Sequence, residues 1–285
     1  MKGENNMSKK SKSKEKKTKT AKMLEDLEKK IEQVQSSKEF KEVLETFSKF
    51  HDYSFHNTIL IQMQCPGATH VAGYKQWQKK FNRHVKKGEK GIAILAPRSF
   101  KKKVVEEVEK NGKTIEEEKE KEIMYFRPVY VFDVSQTEGE PLPSIDLEVE
   151  DVKGELREIL EKYAKTKELS IEYKDLPKGR EGSVNLDKVI TVNDNFNNTK
   201  KASILAHEIA HSQLHFDKES RELEKEIREL EAESVAFVVM QHFNVDIQSE
   251  KYLALYKKTE SLKDSLERIK SVSQEMINFC ENKLN

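Results

Sequence analysis

The sequence predicts an α+β protein of two domains, and three observations carry that reading. Helix-spaced apolar residues dominate both ends of the chain. Strand-like segments cluster between them around the tight-turn signal Asn111-Gly112, and an acidic stretch bearing Gly139, Pro141 and Pro143 separates the two halves. The 285 residues, 35% hydrophobic, suffice for two modest cores. No apolar run approaches the roughly 18 residues that span a bilayer, and the start of the chain lacks the apolar segment of a secretory signal. The expectation is therefore a cytoplasmic protein with no membrane partner. Cys65 and Cys280 have no metal-spaced partner and read as reduced thiols. The 52 basic and 51 acidic residues nearly cancel, so any nucleic-acid signal has to come from local segregation of charge.

Residues 1–22 are lysine-rich with almost nothing to bury, which predicts a disordered basic tail. From Met23, Leu24, Leu27, Ile31 and Val34, then Phe40, Val43, Leu44, Phe47 and Phe50, follow helical spacing with a break near Ser36-Ser37. A short helix over 54–64 is stopped by Cys65-Pro66-Gly67. Strands are expected over 91–96, 104–109, 114–122 and 124–134, with Pro128 arguing for an edge or bulge in the last. The first domain is thus placed at 23–136, a linker at 137–150 and the second domain at 151–285. In the second domain a helix carrying Leu156, Ile159, Leu160 and Tyr163 precedes strands at 169–173 and 184–192. Three helices follow, at about 199–216, 220–243 and 252–283.

His207-Glu208-Ile209-Ala210-His211 is an H-E-x-x-H pattern within the first of these three. Positions i and i+4 on a helix lie about 40° apart around the axis and roughly 6 Å along it, so both imidazoles can meet one zinc ion. Glu208 can then take a proton from the metal's water. A catalytic zinc needs a third protein ligand. His215 lies roughly 12 Å along the helix from His207, too far to share the ion. Glu229 and Glu233 on the next helix share a face, while Glu231 points nearly the opposite way. Glu229 is therefore assigned as the third ligand, and Glu233 as the acceptor that orients a ligating imidazole. The bland alternative is a solvated acidic face, since Glu222, Glu224 and Glu226 precede the run.

Between Cys65 and Lys103 the bases include Lys75, Arg83, Lys86, Lys87 and Lys90, against Glu89 alone among the acids. That segregation suits a phosphate backbone. Tyr74, Trp77 and Phe81 could stack unpaired bases, which favours single strands over duplex. Their i, i+3, i+7 spacing, however, favours the core stripe of a helix over base stacking for Trp77 and Phe81.

Two resemblances follow from these residues. The H-E-x-x-H helix after a strand, then Glu229-x-x-x-Glu233-Ser234-Val235-Ala236-Phe237, resembles the ImmA/IrrE group of gluzincin-like metallopeptidases over about 151–243. The resemblance implies a zincin fold with His207, His211 and Glu229 on Zn2+ and Glu208 as general base. It also implies that the strand around Val189 to Asn193 lies along the cleft, where it can pair with an extended peptide or protein substrate such as a repressor. The strings 54–62, from Ser54 through Asn57 to Gln62, 71–77, from Val71 to Trp77, and 85–94, from Val85 to Ile94, closely resemble the N-terminal domain of the ArdC anti-restriction family, over about 23–134. This implies single-stranded DNA as partner, with Asn57, Lys75, Trp77, Arg83, Lys86, Lys87 and Lys90 as candidate contacts. Gly88 and Gly91 would bracket a basic loop open to a phosphate.

The leading expectation is a protein of a mobile genetic element, anti-restriction or repressor-cleaving, that holds single-stranded DNA and hydrolyses peptides with zinc. One alternative is a DNA-binding anti-restriction protein whose zinc only braces the fold. Another is a repressor-cleaving peptidase whose first domain recognises protein.

Overall fold

The computed structural model describes residues 20–32, 34, 36–110, 113–142, 149–245, 247 and 262–284. The predicted basic tail therefore lies outside the described residues, apart from its last few. A helix over 20–32, α1, leads into α2 (Ser37–Lys49) and α3 (Phe55–Gln64). The break between α1 and α2 has a local cause. Ser36 accepts from the Glu39 backbone N–H while Glu39 reaches back to the Ser36 N–H, a reciprocal cap that starts a new helix.

Strand β1 (Val71–Gly73) and helix α4 (Tyr74–Phe81) follow, then β2 (Arg83–Val85), β3 (Ile92–Lys110), β4 (Lys113–Asp133) and β5 (Thr137–Gly139). The separate strands expected over 91–134 are instead two long strands joined at 111–112, registered from Ile92 opposite Val131 to Lys110 opposite Lys113. β4 lies between β1 and β3, and β2 pairs with β5.

Pro128 sits opposite Leu95. Leu95 turns both its backbone groups away from β4, donating to Asn57 Oδ1 at 2.8 Å and accepting from Asn57 Nδ2 at 2.9 Å. The position opposite therefore needs no N–H, and proline is tolerated there. Gln64, two turns further along α3, grips Ala93 in the same way, at 2.8 and 2.9 Å. These two amides cover a strand edge that would otherwise be open.

The second half comprises α5 (Val149–Thr166), β6 (Ser170–Lys174), β7 (Gly182–Val184), β8 (Val189–Asn193), α6 (Asn198–Leu214), α7 (Lys218–Arg221), α8 (Lys225–His242) and α9 (Leu262–Leu284). The single strand expected over 184–192 is a hairpin, β7 and β8. The helix expected from Ser220 to Phe243 is interrupted, because Asp217 caps the short α7 before α8 begins.

β8 is the central strand, parallel to β6 and antiparallel to β7. One apolar core joins α1, α2 and α3 to α5, α6, α8 and α9, so Leu27, Phe40 and Phe47 share it with Leu156, Ile209 and Val238. A smaller core under the β1–β4–β3 sheet holds Phe50, Ile61, Ile92, Ile94 and Val131. The helices of the first half are therefore packed on the second half, while its sheet has a core of its own. No helix among the described residues is long and apolar enough to cross a membrane.

Candidate metal centre

α6 starts where Asn197 accepts from the Lys200 N–H and carries an almost wholly buried run, Ala202 to Ala210, against α8. Packing between these helices brings three ligand atoms together. His207 Nε2 and His211 Nε2 stand 3.0 Å apart, and Glu229 Oε2 lies 3.7 Å from each. His211 beside Glu229 holds that carboxyl below its usual range.

The partners of the second ring nitrogens bear on which atoms are turned toward this common point. Glu233 Oε2 lies 2.9 Å from His207 Nδ1. His211 Nδ1 lies 3.1 Å from His215 Nδ1, and His215 Nε2 lies 3.0 Å from Glu231 Oε2. Glu231 is fully buried. Burial would raise its carboxyl, but hydrogen bonds from His215, Arg268 and Ser265 outweigh that and keep it ionised.

A carboxylate only accepts, so His215 Nε2 donates to it, His215 Nδ1 accepts, and His211 Nδ1 donates. His211 Nε2 is left with its lone pair turned toward His207 Nε2. Two imidazole nitrogens and a carboxylate converging in this way are a donor set that fits a divalent cation. His215, Glu231, Ser265 and Arg268 are absent from the sequence-based site. The signal for His215 was its i+4 spacing from His211; its link to Glu231 and α9 is purely tertiary.

Glu208 is 7% exposed, and burial pushes its carboxyl up, with His207, His211 and the Val184 N–H offsetting part of the rise. The strand at the cleft is β7, not the expected β8, because β8 is enclosed by β6 and β7, and of the two edge strands it is β7 that lines the cleft. Gly182 on β7 makes this approach possible. A Cβ there would lie 2.6 Å from Ile204 Cγ2, 3.0 Å from Thr191 O and 3.2 Å from Glu208 Oε1. The cleft measures about 950 Å³ and is lined by β7, the ligand residues and a basic rim that includes Arg180, Arg221 and Arg228.

The candidate DNA contacts separate into two groups. Lys75, Lys86, Lys87 and Lys90 are exposed on and after α4, with Lys86 Nζ also donating to Ser135 O at 2.9 Å. Gly88 adopts φ +93°, a left-handed turn beside them. Trp77, Asn57 and Arg83 do not face solvent as binding groups. Trp77 is 1% exposed and its Nε1 donates to Phe132 O, so it is core and not a stacking surface, whereas Tyr74 on the same helix stays 48% exposed.

Asn57 spends its amide on Leu95, as described above. Arg83 spends its guanidinium on Thr137 Oγ1 and on the carbonyls of Thr137, Gly139 and Glu140, clasping β5. The space beside Gly91 is filled by Tyr130, whose Cβ would lie 2.9 Å from an added Cβ, and is not open to a phosphate. Further along, Lys101 pairs with Glu120 at 3.3 Å across the hairpin.

A helix bearing H-E-x-x-H, set against a glutamate-bearing helix beside an open sheet edge, has the architecture of a metallopeptidase-like domain. Residues 163–270 match the IrrE N-terminal-like domain of the peptidase M78 family, and residues 13–132 match the N-terminal domain of anti-restriction factor ArdC. The chain is thus an ArdC-like two-domain α+β protein. An uncharacterized protein of Bacillus anthracis is 28% identical over 277 residues, covering 83% of this chain and 47% of its own length. The chain therefore spans about half the length of that curated relative. Crystal structures of the antirestriction ArdC protein from plasmid R388 align at TM-scores of 0.45 (metal-free) and 0.43 (Mn(II)-bound), with 20% and 17% identity. They cover 81% of this chain and 84% and 88% of theirs.

Proposed function

We propose that this protein is a divalent-metal peptidase, with zinc as the favoured ion, joined to a module that binds single-stranded DNA through exposed lysines. The observation that carries the enzymatic part is the convergence of His207 Nε2, His211 Nε2 and Glu229 Oε2 within 4.8 Å of one another, with Glu208 lining the same cleft. When bound, such an ion polarises the scissile carbonyl and acidifies the attacking water.

Glu208 accepts the proton of that water and passes it to the departing amine. Its raised carboxyl sits nearer the working pH than an exposed glutamate would. The free edge of β7 pairs with an extended peptide or protein segment, such as part of a repressor. An ion that only braced the fold would not need a buried carboxylate at this place. The domain limits proposed with this reading are 23–139, since β5 pairs with β2 and so belongs to the first domain where 23–136 was expected, and 151–285, in a cytoplasmic protein of a mobile genetic element acting against restriction or on a repressor.

Glu208→Gln tests the enzymatic half. The variant should retain its metal, because the three ligands are untouched, and should lose about 10²- to 10⁴-fold in cleavage of a proteome-derived peptide library read by mass spectrometry. Equal cleavage by both proteins would remove the catalytic reading. A labelled oligothymidylate titration tests the DNA half.

A further inference from the structure

A second cluster of metal-ligating side chains lies away from the cleft, where α2, α8 and α9 end together. His51 and Asp52 follow α2, His242 closes α8, and Glu281 stands in the last turns of α9. His51 Nε2 is 3.2 Å from Glu281 Oε2 and 3.3 Å from Asp52 Oδ1, and His242 Nε2 is 2.9 Å from Glu281 Oε1. The ligand atoms of His51, His242 and Glu281 all lie within 4.8 Å of one another. From this arrangement we propose that His51, His242, Glu281 and Asp52 form a second, structural site for a zinc-like divalent ion that staples the ArdC-type half to the peptidase-type half.

Three features support it. A tetrahedral ion with bonds of about 2.0 Å places its ligand atoms about 3.3 Å apart, close to the three separations seen here. His242 Nδ1 lies 2.8 Å from Ser48 O, and a carbonyl only accepts, so this nitrogen carries the proton. His242 Nε2 is thereby turned, lone pair first, toward carboxylate oxygens that also only accept, the outer-sphere arrangement of a ligating imidazole. The nearby Lys270 donates to the carbonyls of Phe50 and His51, so its ammonium is directed at backbone.

Exposure also fits an entry route. The two imidazoles are largely covered, with side chains 10% and 17% exposed, while Glu281 and Asp52 open to solvent at 38% and 77%. Two neutral imidazoles and two carboxylates balance the charge of a divalent ion. A proton shared between imidazole and carboxylate could hold the same atoms, and the experiment is chosen to separate the two.

The test uses the full chain, stripped of metal with a chelator and dialysed against zinc or cobalt(II). The native protein should take up two equivalents. His207→Ala with His211→Ala clears the first site and should leave one equivalent, a tetrahedral cobalt(II) spectrum and a melting temperature that zinc raises. Adding His51→Gln and His242→Gln should abolish all three. A folded His207→Ala/His211→Ala protein that binds no metal overturns the proposal in favour of a shared proton, and so does metal retained after all four substitutions. If the fourfold variant fails to fold, uptake by the two-substitution protein decides alone. Failure of the first site, and with it of the proposed peptidase reading, would appear separately, as no metal in His51→Gln/His242→Gln instead of one equivalent.

Discussion

His215 Nδ1 lies 3.1 Å from His211 Nδ1, which makes a residue outside the motif the one that sets the tautomer of a ligand within it. Behind it stand Glu231 and then Arg268, so a helix that supplies no ligand to this centre braces its geometry. His215→Gln and Glu231→Gln should each weaken metal affinity about 10- to 100-fold, measured by chelator competition, with the ligand set intact. Glu231→Gln should also destabilise by about 1–3 kcal/mol, because a buried acceptor shared by His215, Ser265 and the half-buried Arg268 loses its charge.

Gly182→Ala should destabilise the protein by about 1–3 kcal/mol, since its Cβ meets Ile204 Cγ2 at 2.6 Å. Peptide cleavage should fall as well, because Glu208 Oε1 is the third atom in the way. A double-mutant cycle with Ile204→Ala checks the cause. The pair should cost less than the sum of the single changes.

Replacing Lys86, Lys87 and Lys90 together with Ala should weaken binding to oligothymidylate and reduce its log–log salt slope by up to about 2. An unchanged slope would exclude the loop from the interface. Arg83→Ala should instead act through stability, since that guanidinium holds β5.

Asp133 at the end of β4 is buried. Burial raises its carboxyl, yet hydrogen bonds from Ser135, Thr69 and His70 outweigh this and hold it below the usual range. A folded value below the unfolded one means that stability is present above about pH 4 and is lost as the pH falls through the folded value. Asp133→Asn should therefore flatten the fall in stability on acidification, at a cost of about 1–3 kcal/mol at neutral pH, followed by urea unfolding from pH 3 to 7.

By itself the sequence determined the α+β class, the helices built on periodic apolar residues, and the shared helix face of His207 and His211. These rest on short-range rules: 3.6 residues per turn places i and i+4 on one face wherever the helix lies. Only the tertiary structure decided what packs on that face and which strand is left at an edge. Trp77, Asn57 and Arg83 looked like binding groups because a polar or aromatic side chain in a basic stretch has the same spelling whether it meets DNA or its own backbone. β7 rather than β8 lines the cleft because edge position is a property of the whole sheet. His215–Glu231–Arg268 and His51–His242–Glu281 draw on elements up to 230 residues apart, and no local periodicity encodes contacts of that range.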